Sequence, residues 1–343
     1  MKPSISVKPA WSATLGDWVG CAAWSPDGST VAVGSLAGEA IVLDARTGAV
    51  TAKLAEHPLG VSCLAWSPAG LLGSGGHDGV VRLARVRSSE APVTLASVPF
   101  GRWIAGLAWS PTDPLLAVAA GRSLCALDAE GAAVANWEDL PSTVTAVSWS
   151  VGGKVSTLGA ACYGGVWWYR PQEPEAPPRH LAYKGSMLTL DVAPNGRWAA
   201  SGCQDGSVHI WRLWSGDDLT MSGYPSKVEH VAFQDSSEWM AVGNGPEVTV
   251  WDFRGKGPGG RAPKVLSGHE GTITALAYQH RGPLLATGDD AGRILLWDPT
   301  KSKRPIQAGV SPMGGASLTW SPDDCSLLVG GAAGQVLCLQ VAS

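Results

Sequence analysis

The chain has 343 residues, 45% of them hydrophobic and 16% charged, with a formal net charge of −4. That balance excludes a disordered chain and supplies no overall attraction to nucleic acid, so a nucleic-acid partner is not expected. No stretch reaches the eighteen apolar residues of a membrane span, and the opening MKPSISVKPAWSATLGDW lacks the apolar run of a secretory signal, so the chain reads as cytoplasmic.

Taken in order, residues 5–15 (ISVKPAWSATL) form a short alternating segment, followed by CAAWSPDGSTVAVGS (21–35). The same phrase returns as CLAWSPAGLLGSGG from Cys63 and as GLAWSPTDPLLAVAA from Gly106. Aligned on Trp24, eight copies follow one another at Trp24, Trp66, Trp109, Trp149, Val192, Phe233, Tyr278 and Trp320, spaced 40 to 45 residues apart. Such a period marks a repeat architecture and overrides the two or three domains that length alone suggests, leaving a single domain over 1–343. Within a copy, apolar runs (VSCLAW, LLGSG, VVRLARV, VTLASV) alternate with turns (SPAG, GHDG), the pattern of short antiparallel strands in hairpins. No segment holds a helical period over three turns. The 44 glycines serve the turns, and the 17 tryptophans imply a recurring place where a large flat side chain is buried. The seven cysteines show no C-x-x-C spacing and read as reduced, buried thiols.

With GHEGTITALAYQHRGPLLATGDDAGRILLWD (268–298), SGCQDGSVHIWRL (201–213) and the repeated AWSPDG-type strand ends, the whole chain resembles the WD-repeat β-propeller family. The resemblance implies an all-β ring of four-stranded antiparallel blades. Eight units give eight blades, and the last, ASLTWSPDDCSLLVGGAAGQVLCLQVAS, ends after its third strand. Residues 5–15 are expected to complete it beside QVLCLQV, removing exposed edges. The family's hydrogen-bonded set of His, Ser or Thr, Asp and Trp carries over incompletely. Unit two has His57, Ser74 and Asp78, with Ala84 in place of tryptophan. Unit five has Ser201, Asp205 and Trp211, with Tyr183 at the histidine position. Unit seven has His269, Thr287 and Trp297, with Ala291 where the aspartate belongs, and unit six keeps Trp251 and Asp252. On this reading no unit is complete, and the His-Ser-Asp sets are turn braces. No G-x-S-x-G elbow, H-E-x-x-H, phosphate loop or dinucleotide motif is present, so no enzyme is expected.

In a propeller the fourth-to-first and second-to-third connections share one rim, here the top. It is expected to carry Asp17, Glu56, Glu138, Asp139, Glu270, Asp289 and Asp290 among Trp18, Arg102, Trp103, His77, Gln204, Tyr224 and Lys227. Aromatics and arginine beside acids have the composition of a recognition surface, and Trp18 and Trp103 hold the same place before the innermost strand. We therefore take Trp18, Trp103, Arg102, His77, Gln204, Tyr224, Lys227 and Asp290 as partner-binding candidates. The opposite rim gathers Arg254, Lys256, Arg261, Lys264, His280, Arg281, Lys301, Lys303 and Arg304, either a solvated surface or a dock for an acidic partner. The proline-rich 170–181 favours an extended arm or a surface insertion, and GKGPGGRAP (255–263) a flexible loop.

The leading expectation is a non-catalytic scaffold, monomeric on its own and without a cofactor, binding a protein on its top face. The alternative is a small-ligand or transition-metal-handling protein using the channel or top face, with Cys162, Cys203, His77 and His230 as soft ligands.

Overall fold

The computed structural model describes residues 5–87, 90–151, 156–310 and 315–342, and among these every element is a β-strand. Eight antiparallel blades succeed one another in chain order, and their innermost strands lie side by side around the ring, the eighth beside the first. In the first blade Val19–Trp24 is innermost, then Thr30–Ser35, Ala40–Asp44 and, outermost, Val50–Lys53. The middle strands are buried on both faces because neighbouring blades cover them, and the outer strand is exposed except at Ala52. Blade four joins its second and third strands into one run, Ser156–Tyr169, which turns at Gly164 and Gly165 (φ 97° and 128°), values that only glycine adopts freely.

The repeated tryptophan has a clear task. Its indole N–H donates to the inner strand of the preceding blade, at the carbonyl just before that blade's own aligned residue. Trp66 reaches Ala23 O (3.1 Å), Trp109 reaches Ala65 O (3.1 Å), and Trp149 reaches Ala108 O (2.8 Å). Trp320 reaches Ala277 O (3.1 Å), and Trp24 reaches Thr319 O (3.2 Å) across the closure. Each ring thus fills a wedge between blades and satisfies its one polar atom there. Where Val192 and Phe233 replace tryptophan, Asp191 bridges instead, accepting from the Phe233 N–H at 2.6 Å and from the Val192 N–H at 2.9 Å.

The N-terminal strand Ser6–Thr14 pairs antiparallel with Gln335–Ala342, from Ser6 opposite Ala342 to Thr14 opposite Gln335. Blade eight is thereby completed as the sequence implies. Trp11 locks the join: its N–H donates to Ala45 O (2.8 Å) in blade one, and its ring lies so close to Gly48 that a Cβ there would come within about 2.6 Å of it.

Two connections depart from expectation. The proline-rich segment after blade four makes successive turns, not an extended arm, because Glu173 N–H bonds Arg170 O (2.9 Å), Ala176 N–H bonds Glu173 O (3.0 Å), and Trp137 pins it through Pro174 O (3.0 Å). The glycine-rich loop of blade six is packed on blade five: Gly257 sits against the Trp198 ring, and Arg212 donates to Lys256 O (2.8 Å).

Candidate functional site

The top-rim loops are braced by buried polar sets. In blade seven His269 Nδ1 meets Asp289 Oδ2 (2.9 Å) and its Nε2 meets Thr287 Oγ1 (2.7 Å), to which the Trp297 N–H also donates (2.8 Å). This set is complete, correcting the expectation that Ala291 leaves it without an acid. Burial pushes the Asp289 carboxyl up, yet hydrogen bonds from Arg293 N–H, His269 and Gly271 N–H outweigh it and hold the group below its usual range.

In blade two His57 bonds Asp78 (2.9 Å) and Ser74 (2.9 Å), and Arg82 pairs with Asp78 (3.0 Å). Ala84 leaves a void of about 60 Å³ where a tryptophan would stand. Blades five and six use tyrosine for histidine. Tyr183 donates to Asp205 (2.8 Å), while Tyr224 touches Thr249 (2.9 Å) and accepts from Trp251 (3.1 Å). Two assignments change with these contacts. Ser201 bonds Thr189 O and the Trp211 N–H has no partner among the described residues, so neither joins the blade-five set. Tyr224 is a brace of blade six whose hydroxyl is turned inward, not a free contact residue.

Between these braces the top rim of blades one to three presents a continuous crescent. Trp18 and Trp103 are 43% and 55% exposed, and Leu36 and Leu59, which the sequence reading missed, are 42% and 66% exposed. The backbone links them: Leu36 N–H donates to Trp18 O (2.9 Å), and Gly60 packs on the Leu36 carbonyl and on His77. His77 Nδ1 lies 3.2 Å from Leu59 O, and its ring centroid is 6.0 Å from that of Trp103. Exposed Arg102 adjoins Trp103, and exposed Tyr163 stands on the same rim of blade four. Gln204, Lys227 and Asp290 lie on blades five to seven, apart from the crescent. Lys227 pairs with Glu229 (2.9 Å), and Asp290 caps Thr272 N–H (2.8 Å).

The basic rim is neutralised in part by its own acids. Arg254 and Arg261 share Asp252 (2.7 and 2.8 Å), which holds that carboxyl down to about 2, and Lys301 pairs with Asp298 (2.7 Å). Lys264 donates to Pro299 O (2.6 Å) and, with Arg254, covers the Trp239 ring. Lys256, Arg281, Lys303 and Arg304 project into solvent, with Arg281 held through its backbone N–H by Asp324 (2.8 Å).

Comparison with known proteins bears on the repeat. The family model for the WD domain, G-beta repeat, matches residues 178–212 and 260–298, and that for the anaphase-promoting complex subunit 4 WD40 domain matches 5–69. The chain is a WD-repeat β-propeller. The second WD-domain match contains the complete blade-seven set. Coronin-7 of Rattus norvegicus and of Mus musculus are each 28% identical to this propeller over 156 residues, 42% of its length. The aligned part makes up 16% of those relatives. The computationally designed Ika8 protein shares the fold, with a TM-score of 0.79 at 21% identity over 97% of this propeller and 99% of that chain.

The propeller does not assemble the proposed soft ligands. Cys162 and Cys203 are fully buried in blades four and five, His230 is on the inner strand of blade six, and His77 faces the rim. Among the described residues no three His, Cys, Asp or Glu side chains form a metal-holding group. The His57–Ser74–Asp78 set has triad-like bonding, but His57 is fully buried and Ser74 nearly so.

Proposed function

We propose that this propeller is a non-catalytic interaction scaffold that docks a partner protein on the top rim of blades one to three. The contiguous exposure of Trp18, Leu36, Leu59 and Trp103 carries the reading. Four large apolar side chains on adjoining rigid turns, rimmed by Arg102, Asp17 and Glu56, have the anatomy of a binding core with a polar border. The scaffold acts by presenting a shape that needs no reordering on binding. Coronin-7 and the WD-repeat match support a protein partner. All seven cysteines are free, consistent with a cytoplasmic setting, and among the described residues no helix is long and apolar enough to cross a membrane. Affinity capture with the wild-type chain beside a Trp18→Ala/Trp103→Ala variant tests the reading. A partner retained by the first and lost from the second, with both melting alike, is the expected result. Equal retention by both would refute the crescent as the docking surface.

A further inference from the structure

The rim opposite the crescent opens between blades four and five as a cleft of about 460 Å³, whose polar lining includes Ser150, Thr157, Trp168, Arg170 and Arg179. Trp168 is only 6% exposed and packs in the core of this seam with Leu181, Leu190 and Trp211, yet its indole N–H has no hydrogen-bond partner among the described residues. By contrast, the five aligned tryptophans of the inner strands each find a carbonyl across their seam. A buried donor without an acceptor is the feature that a ligand can complete.

The charged groups of the lining itself have one sign. The lining offers the Trp168 ring, two guanidinium groups and two hydroxyls, and no carboxylate. Arg170 already pairs with Glu173 (3.0 Å). Arg179 donates to Leu213 O, which fixes it at the cleft edge, and it has no ion pair among the described residues. The wall beyond is apolar: Leu213, Pro177 and Trp214, the last 61% exposed, held edge-on to Trp198 at 6.0 Å and beneath Arg197 at 5.7 Å. Donors and cations call for an anionic acceptor, while the adjoining apolar wall calls for a hydrocarbon or aromatic group joined to it. A free inorganic anion would leave that wall unused.

We propose that this cleft docks an acidic peptide segment of a partner protein, an Asp or Glu carboxylate seated against Trp168 and Arg179 and a flanking apolar side chain against Trp214. The site is separate from the top crescent and does not depend on it.

The test is selection of a phage-displayed random-peptide library on the full chain. Each enriched peptide is then titrated against wild type, Arg179→Glu, Trp168→Phe and, as a crescent control, Trp103→Ala, with melting curves to confirm the fold. The expected result is a class of peptides joining Asp or Glu to a Leu, Phe or Trp neighbour, indifferent to Trp103→Ala. Their affinity should fall about tenfold or more in Arg179→Glu, fall in Trp168→Phe, and weaken with salt. Should Trp168→Phe fail to fold, the exposed Trp214→Ala replaces it, with loss of affinity again expected. The proposal is overturned if no peptide depends on Arg179, if the dependent peptides lack acids, or if neither tryptophan variant alters binding. Displacement of the peptides by inorganic phosphate as effective as the peptides themselves would also overturn it, marking the cleft as a free-anion site.

Discussion

At the residue scale, blades two and seven fill the same spot from different chain positions. Asp78 and Ala291 correspond in register, as do Gly76 and Asp289. In blade two the acid reaches back from the turn, and Gly76 makes room for it, since a Cβ there would collide with His57 and the Asp78 carboxylate. In blade seven the strand's own last residue, Asp289, supplies the acid, and Ala291 is free to be small. This is why position-by-position matching misread blade seven as incomplete: the hydrogen bond specifies a place in space, and two backbone positions reach it. Asp78→Ala should lose about 1–3 kcal/mol of stability by stranding His57. Adding Gly76→Asp should not recover that loss in denaturant melts, because its Cβ would still collide with the buried His57 ring; recovery would show that His57 can shift to the arrangement of blade seven.

Ala84→Val, filling part of the void of about 60 Å³ on a β-strand, should stabilise by about 0.5–1 kcal/mol; a loss would mean that Arg82 already occupies the space. Burial also holds His57, His209, His230 and His269 below the usual histidine value. The unfolded chain therefore takes up protons on these rings before the folded one does. Stability should be fully present above roughly pH 6.5 and fall as pH drops below it, and His269→Gln should flatten that fall. A melting temperature unchanged between pH 7.5 and 5 would contradict the assignment.

At the scale of elements, the inner strands were plain in the sequence because a large ring recurs at every aligned position but Val192. The closing strand was equally plain, because the eighth unit lacked its fourth strand and residues 5–15 stood where a fourth strand belongs, before the first innermost strand. The long connections were not legible. Proline and glycine content suggested an arm and a flexible loop, but Trp137 pins the first and Trp198 receives the second, contacts between blades that composition does not encode. Trp11 joins the last blade to the first, so Trp11→Ala should cost about 3–5 kcal/mol, and removal of residues 1–15 at least as much. An unchanged melting midpoint on truncation would contradict closure by this strand.

At the scale of the molecule, the two rims differ in character. The rim read as basic, a solvated surface or a dock for an acidic partner, carries Asp252, Asp298 and Asp324 among its cations, whereas the top of blades one to three keeps large apolar side chains in water. Trp18 and Trp103 were visible from their shared place in the repeat. Leu36 and Leu59 were not, because a leucine in a turn carries no periodic signal and becomes informative only when the ring brings neighbouring turns together.

The scaffold reading stands or falls on where a captured partner sits. Hydrogen–deuterium exchange of the propeller with and without that partner measures it directly. The account predicts protection centred on the turns that carry Trp18, Leu36, Leu59, His77 and Trp103, with the opposite rim unchanged. Protection absent from those turns and confined to the opposite rim would contradict it.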